Sequence, residues 1–147
     1  MAGYSATPLP QKLGIKPGCR LGLANAPADI ARILGTLPAG VASAEAGRER
    51  GPFDVVMCFV SQAARLEGAL NKLRPKLDPA GGLWIAWPKK ASGVATDVTE
   101  AVVRERGLAS GLVDNKVCAI DDVWSGLRFV VRLADRPAAS KTKAKAR

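Results

Sequence analysis

Two short segments have apolar side chains on both faces of an extended backbone, and they constrain the fold more than any other feature. They are Phe53-Asp-Val-Val-Met-Cys-Phe-Val60 and Leu83-Trp-Ile-Ala-Trp87. A strand that is apolar on both faces is stable only inside a sheet that is covered on both sides, which is the usual setting of a parallel strand. These segments therefore predict two central strands of an α/β protein.

Helical and strand patterns alternate around these two segments. A strand is predicted over 19–24 and a short one over 41–44. Apolar residues at helical spacing predict one helix through Ile30, Ile33, Leu34 and Leu37, and another through Leu66, Leu70, Leu73 and Leu77, broken near Pro75. Segments 113–120 and 127–133 predict an antiparallel hairpin at the C-terminal edge. The alternation predicts an α/β three-layer sandwich with a mainly parallel sheet.

The length of 147 residues fits one domain. We assign 1–133 to this domain, with 1–14 as an N-terminal arm, and 134–147 to a disordered basic tail. The formal net charge is +9, and five of the 22 basic residues lie in the tail against Asp135 alone. Nucleic-acid binding through the tail is one hypothesis, because basic segments attract phosphate. The tail has no aromatic residue on which a base could stack.

Several classes of chemistry are excluded by composition. The chain has no histidine, which removes Ser-His-Asp and Cys-His catalysis. Its cysteines, Cys19, Cys58 and Cys118, show no C-x-x-C spacing, which argues against a zinc site or a disulfide framework and favours buried thiols. No apolar run reaches the ~18–20 residues of a membrane span. Without a signal-peptide pattern, the sequence predicts a cytoplasmic protein with no membrane partner.

Four segments together resemble one small bacterial family, catalogued as domain of unknown function 3052. They are Met1-Ala-Gly-Tyr-Ser-x-Thr-Pro-Leu9, Lys12-Leu-Gly-Ile-Lys16, Gly82-Leu-Trp-Ile-x-Trp-Pro-Lys-Lys90 and Gly111-Leu-Val-Asp-x-Lys-Val-Cys-Ala119. With Trp124-Ser-Gly-Leu-x-Phe-Val130, the resemblance covers nearly the whole chain before the tail. It implies no particular activity.

The order of elements from Phe53 onward, with Pro79-x-Gly-Gly-Leu83 opening a strand, is similar to that of a Rossmann-like S-adenosylmethionine-dependent methyltransferase. In that family the first strand leads into a glycine-rich loop, whereas here it leads into Asn25-Ala26-Pro27. The family also implies an acidic ribose ligand after the second strand, for which Glu45 is the candidate. The resemblance implies this fold with a modified or lost cofactor site.

Ligands of open α/β sheets bind beyond the carboxyl ends of the strands. The segment 87–97 is the richest in such groups, and Asp97 with Glu100 predicts a capped helix N-terminus that favours an anion. The alternative is that the lysines here are solvated and the hydroxyls bond to local backbone. The predicted ligand-binding residues are Asn25, Ser61, Trp87, Lys89, Lys90, Ser92 and Thr96.

From the sequence alone, the favoured interpretation is a Rossmann-like domain that binds an anionic small molecule or a protein partner without catalysis and without a cofactor. The first alternative is a divergent methyltransferase that uses S-adenosylmethionine in the same crevice. The second alternative is a nucleic-acid binder that acts through the tail. No catalytic residue is assigned.

Overall fold

One sheet of six strands organises the chain over residues 7–135, the part that the computed structural model describes. The strands are β1 (Arg20–Ala24), β2 (Ala42–Glu45), β3 (Phe53–Phe59), β4 (Leu77–Pro88), β5 (Leu112–Ala119) and β6 (Trp124–Val131). Their order in space is β2-β1-β3-β4-β6-β5. The first four strands in this order are parallel, and β6 is antiparallel to both of its neighbours. The predicted fold class is confirmed.

Within the described range, four α-helices pack on the two faces of this sheet. They are α1 (Leu9–Lys12), α2 (Ile30–Leu34), α3 (Leu66–Leu73) and α4 (Glu100–Ala109). One core joins α3 and α4 to the sheet through Leu66, Leu70 and Val103. A second core on the opposite face contains α2 residues such as Ile33, together with Leu13 just after α1. Two cores, one on each face, give the three layers.

The central strands are buried as their composition requires. Every residue of β3 except Asp54 is buried, and β4 is buried from Gly81 to its end. Trp84 and Trp87 point to opposite faces because they are three positions apart on a strand, and each belongs to a different core. Residues 78–81 loop out of the ladder, since Leu77 pairs with Phe53 and the next pair joins Gly82 to Val55.

The connection from β2 to β3 is unusual for a parallel crossover. These strands lie on either side of β1, and only residues 46–52 join them, with no helix between. The connection fits closely because β1 has glycine at position 22. A Cβ built on Gly22 would lie 3.0 Å from both the Ala46 Cβ and the Phe53 Cγ. Without a crossover helix, the face beside α3 stays open.

The start of α4 differs from the sequence prediction. Thr99, not Asp97, caps this helix, and its Oγ1 accepts a hydrogen bond from the Val102 N–H at 3.2 Å. The Asp97 carboxylate instead accepts the main-chain N–H of Ala63 at 2.7 Å, just before α3. The sequence pattern found a capping carboxylate but not the turn that it caps, because that partner lies 34 positions away.

The two ends of the domain extend past the described range. The first six residues of the predicted arm and residues 136–147 of the predicted tail lie outside the described residues. The nucleic-acid hypothesis for the tail therefore stays a prediction. Leu133–Asp135 form a single 3₁₀ turn after β6. Among residues 7–135, no helix has the length and apolar character needed to cross a bilayer.

Candidate functional site

The site begins at the point where the strand order reverses. From β1 the chain goes to β2 on one side, and it then crosses to β3 on the other side. Ala24, the last residue of β1, pairs with Cys58 of β3 across this point. In open α/β sheets, ligands bind in the crevice that such a reversal opens at the carboxyl ends of the strands.

A groove lies at this position, and we call it the α3 groove. Its volume is about 770 Å³, within the range of about 300–1,000 Å³ that is typical of small-molecule sites. Its lining consists of Ala24, Asn25, Ala26, Glu45, Gly47, Arg48, Cys58, Arg65, Gly68, Ala69, Lys72 and Leu73. The lining thus combines small side chains with three cations and one carboxylate.

Asn25 shapes the mouth of the α3 groove. Its φ is +55°, and it is the only non-glycine residue with a positive φ among the described residues. Asparagine enters the left-handed region more readily than most other non-glycine residues. The turn after β1 therefore has a backbone conformation usually supplied by glycine, although no glycine follows Gly22 there.

Charged groups at the ends of β2 and α3 face the groove without pairing. Glu45 Oε2 and Lys72 Nζ each lie 3.5 Å from the place where a Cβ on Gly47 would stand. Within residues 7–135 neither group has an ion pair shorter than 4 Å. Arg65 donates its Nε–H to Gln62 Oε1 at 2.7 Å. The Glu45 carboxylate and the Lys72 ammonium are thus both available to a polar ligand.

Cys58 also lines the α3 groove, but its thiol is a poor nucleophile at neutral pH. Its side chain is buried, and desolvation raises the pKa of the thiol to about 12. The reactive thiolate is therefore scarce at neutral pH. Cys19 and Cys118 are also free and buried, as predicted.

The structure distributes the sequence-predicted site residues over several environments. Asn25 lines the α3 groove. Ser61 accepts, through its carbonyl, a hydrogen bond from the Thr96 hydroxyl at 2.7 Å, and Thr96 Oγ1 accepts the Val98 N–H at 3.0 Å. Ser92 donates its hydroxyl to the Lys89 carbonyl at 2.6 Å. Both hydroxyls thus bond to local or neighbouring backbone.

The remaining predicted residues divide as well. Trp87 is 6% exposed and belongs to the core beneath α3. Lys90 is exposed, while Lys89 lines a second cavity near α1. The seven residues therefore do not converge on one pocket. The structure brings together only Ser61 with Thr96, and Lys89 with Ser92.

Sequence reasoning missed the cations of the α3 groove. Arg65 lies just before α3, and Gly68, Ala69 and Lys72 follow at helical spacing beside the leucine face of α3. A face with two cations around two small residues was the available signal. Such a face has the same composition as the ordinary solvated side of an amphipathic helix.

The fold is shared with known methyltransferases. A precorrin-6y C5,15-methyltransferase from Geobacter metallireducens has a TM-score of 0.58 and 11% identity, over 84% of this chain and 86% of that one. A SAM-dependent methyltransferase from Aquifex aeolicus has a TM-score of 0.56 and 13% identity, over 83% of this chain and 87% of that one. Magnesium protoporphyrin IX methyltransferase from Synechocystis PCC 6803, solved with bound S-adenosylhomocysteine, has a TM-score of 0.51 and 14% identity. The match covers 79% of this chain and 75% of that one.

No family model matches the chain, and no curated protein matches it. The resemblance to the bacterial family of unknown function therefore stays a prediction. The methyltransferase-like architecture is shown by the solved structures.

The solved structures correct two sequence-based expectations: that the domain is non-catalytic and that it has no cofactor. They are methyltransferases, one of them solved with S-adenosylhomocysteine and with S-adenosylmethionine, and they favour the methyltransferase alternative. The turn after β1 has no glycine-rich loop, but Asn25 has the left-handed backbone conformation that glycine usually supplies. At 11–14% identity, the likeness itself shows the fold alone.

Proposed function

We propose that this domain is a divergent methyltransferase that binds S-adenosylmethionine in the α3 groove. The observation that carries the proposal is the position of this groove. It opens where the strand order reverses, between the left-handed turn at Asn25 and the carboxylate of Glu45. This is the part of an open α/β sheet that binds nucleotide-like cofactors.

The residues of the groove fit the parts of this cofactor. Glu45 lies at the end of β2, where a carboxylate can accept hydrogen bonds from ribose hydroxyls. Lys72 supplies a cation for the cofactor's carboxylate. Gly68 leaves open space, since a Cβ built there would have no atom within 4 Å. When bound, S-adenosylmethionine would supply a methyl group from its positively charged sulfur. An electron-rich acceptor atom would bond to the methyl carbon as the carbon–sulfur bond breaks, leaving S-adenosylhomocysteine.

The chain would contribute mainly by positioning. Histidine is absent from the sequence, and Glu45 is the one carboxylate in the groove lining. Proton transfer by a dedicated acid–base pair therefore has no candidate among these residues. Holding two reactants in a productive geometry supplies a large part of a bimolecular barrier by itself. An acceptor that is already nucleophilic needs nothing more from the protein.

Titration calorimetry with S-adenosylhomocysteine tests the proposal directly. The full chain should bind it, and Glu45→Gln should weaken binding by about tenfold or more, because hydrogen bonds to a charged group are worth about 1.5–3 kcal/mol. Glu49→Gln is the matched control. It removes the same charge four positions away, on an exposed side chain outside the groove lining.

Two results would overturn the proposal. One is the absence of any binding heat with S-adenosylhomocysteine. The other is equal binding by the wild-type chain and the Glu45→Gln variant, which would place the ligand elsewhere. Equal weakening by both variants would also count against it, because it would point to net charge rather than to the groove.

We further propose a reducing compartment such as the cytoplasm. The three cysteines are unpaired and buried, which is usual for proteins that are kept reduced. Localisation of a tagged full-length chain by microscopy or fractionation tests this assignment.

A further inference from the structure

A second cavity lies on the other face of the sheet, and we call it the lysine cavity. Its volume is about 790 Å³. The groups that matter here are Lys12, Lys89 and Lys116, with Gln11 and Asp121 beside them. Cys118 and Ile120, which also line it, belong to the core around Trp84. The α3 groove is lined by Ala24, Cys58 and Leu73, which belong to the opposite core.

Tertiary contacts place the three lysines around this cavity. Lys116 donates from Nζ to the main-chain carbonyl of Lys12 at 2.8 Å, across 104 positions of the chain. Lys12 lies in the last turn of α1, so this bond places the Lys116 ammonium beside it. Lys89 is held at the end of β4 by a bond from its main-chain N–H to the Val123 carbonyl at 2.7 Å.

The one carboxylate of the cavity lining is occupied by backbone groups. Asp121 Oδ1 accepts the N–H groups of Val123 and Trp124 at 2.9 and 2.8 Å, which shapes the turn between β5 and β6. In the described range, Lys12, Lys89 and Lys116 form no ion pair within 4 Å. Three like charges that line one cavity favour an anion there.

We propose that the lysine cavity is a second binding site, and that it takes an oligophosphate group. Three ammonium groups with one amide side chain suit an anion that carries several charges on many acceptor oxygens. The cavity is larger than such a group, so it also has room for an organic moiety attached to the phosphates. The inference goes beyond methyl transfer and does not depend on it.

Calorimetric titration with sodium pyrophosphate, without divalent metal, tests the site in the full chain. The triple variant Lys12→Gln, Lys89→Gln, Lys116→Gln should bind pyrophosphate at least about tenfold more weakly than wild type, since charge-assisted bonds exceed 1.4 kcal/mol. The control variant Lys16→Gln, Lys90→Gln, Arg132→Gln loses the same charge from three exposed side chains. It should stay within about threefold of wild type.

The single variant Lys89→Gln guards against a fold defect, because the Lys89 side chain has no hydrogen bond to any of residues 7–135. It should weaken pyrophosphate binding measurably while circular dichroism is unchanged. Undetectable pyrophosphate binding by wild type would overturn the proposal. So would equal weakening in the control variant, because that would show attraction to net charge only. Binding of S-adenosylhomocysteine should be the same in the triple variant and wild type, which separates this site from the α3 groove.

Discussion

The indole of Trp84 donates its Nε1–H to the main-chain carbonyl of Leu13 at 2.9 Å, across 71 positions of the chain. Both residues are fully buried. The bond ties the segment after α1 to the most central part of β4. It also gives the buried indole N–H a hydrogen-bond acceptor, which apolar side chains could not provide.

Replacing Trp84 by phenylalanine should therefore cost more than the lost ring volume. The Leu13 carbonyl would be left buried without its donor, at about 1–3 kcal/mol. Trp87→Phe is the matched control, because it removes the same atoms from a buried tryptophan whose side chain has no hydrogen bond among residues 7–135. Urea unfolding should show Trp84→Phe to be the less stable variant by that amount. Equal losses would mean that the bond contributes nothing net.

Two helical glycines should respond oppositely to alanine. A Cβ at Gly107 of α4 would lie 2.1 Å from the Phe129 ring, whereas a Cβ at Gly68 of α3 would meet nothing within 4 Å. Gly107→Ala should destabilise the protein by about 1–3 kcal/mol or more through overpacking. Gly68→Ala should stabilise it by about 0.5–1 kcal/mol, because glycine is a poor helix former. Thermal and urea unfolding of both variants measure the signs; the same sign for both would contradict the packing explanation.

The left-handed backbone conformation at Asn25 can be tested by substituting residues that tolerate a positive φ to different degrees. Asn25→Ala should cost about 1–2 kcal/mol of unfolding free energy, because alanine resists a φ of +55°. Asn25→Gly should cost less than half of that and should keep affinity for S-adenosylhomocysteine closer to wild type. Urea unfolding and calorimetry check the two parts. A loss of affinity that is larger in the glycine variant would show that the asparagine side chain, rather than the backbone turn, matters.

The buried Cys58 thiol should make stability fall at alkaline pH. Burial raises its pKa from 9.0 to about 12, so between these values the unfolded chain releases the proton while the folded chain keeps it. The folded state then binds more protons, and the free energy of unfolding decreases as pH rises. Cys58→Ala should reduce this slope between about pH 9 and pH 12 by up to about 1.4 kcal/mol per pH unit. Urea unfolding under reducing conditions measures it, and an unchanged slope would show that other groups cause the loss.

Local sequence patterns predicted the type of most helices and strands, but not all of the residues at which they begin and end. The apolar character of β3 and β4 placed both strands inside the sheet correctly. Gly107 lies within α4, which runs to Ala109, although a glycine near the end of a helical pattern often marks its C-terminus. Its role depends on Phe129, whose distance no local pattern reveals. Asp97 was assigned to the wrong turn for the same reason.

The site was predictable only in its general position. The rule for strand ends pointed to the edge of the sheet where the α3 groove lies, and Glu45 was identified as a candidate through a resemblance. The cations of α3 were not identified, because a solvated helix face and a ligand-facing one have the same composition. The lysine cavity was not visible either, since Lys12, Lys89 and Lys116 are far apart in the chain.

The sequence by itself determined the α/β class, the central strands and the C-terminal hairpin, because burial on one or both faces of a strand leaves a direct mark on residue periodicity. Tertiary structure alone decided which groups meet. Glu45 and Lys72 come to line one groove only through the arrangement of β2 and α3 in the folded chain. Such contacts join residues that are distant in the sequence, so a local pattern of side chains cannot predict them.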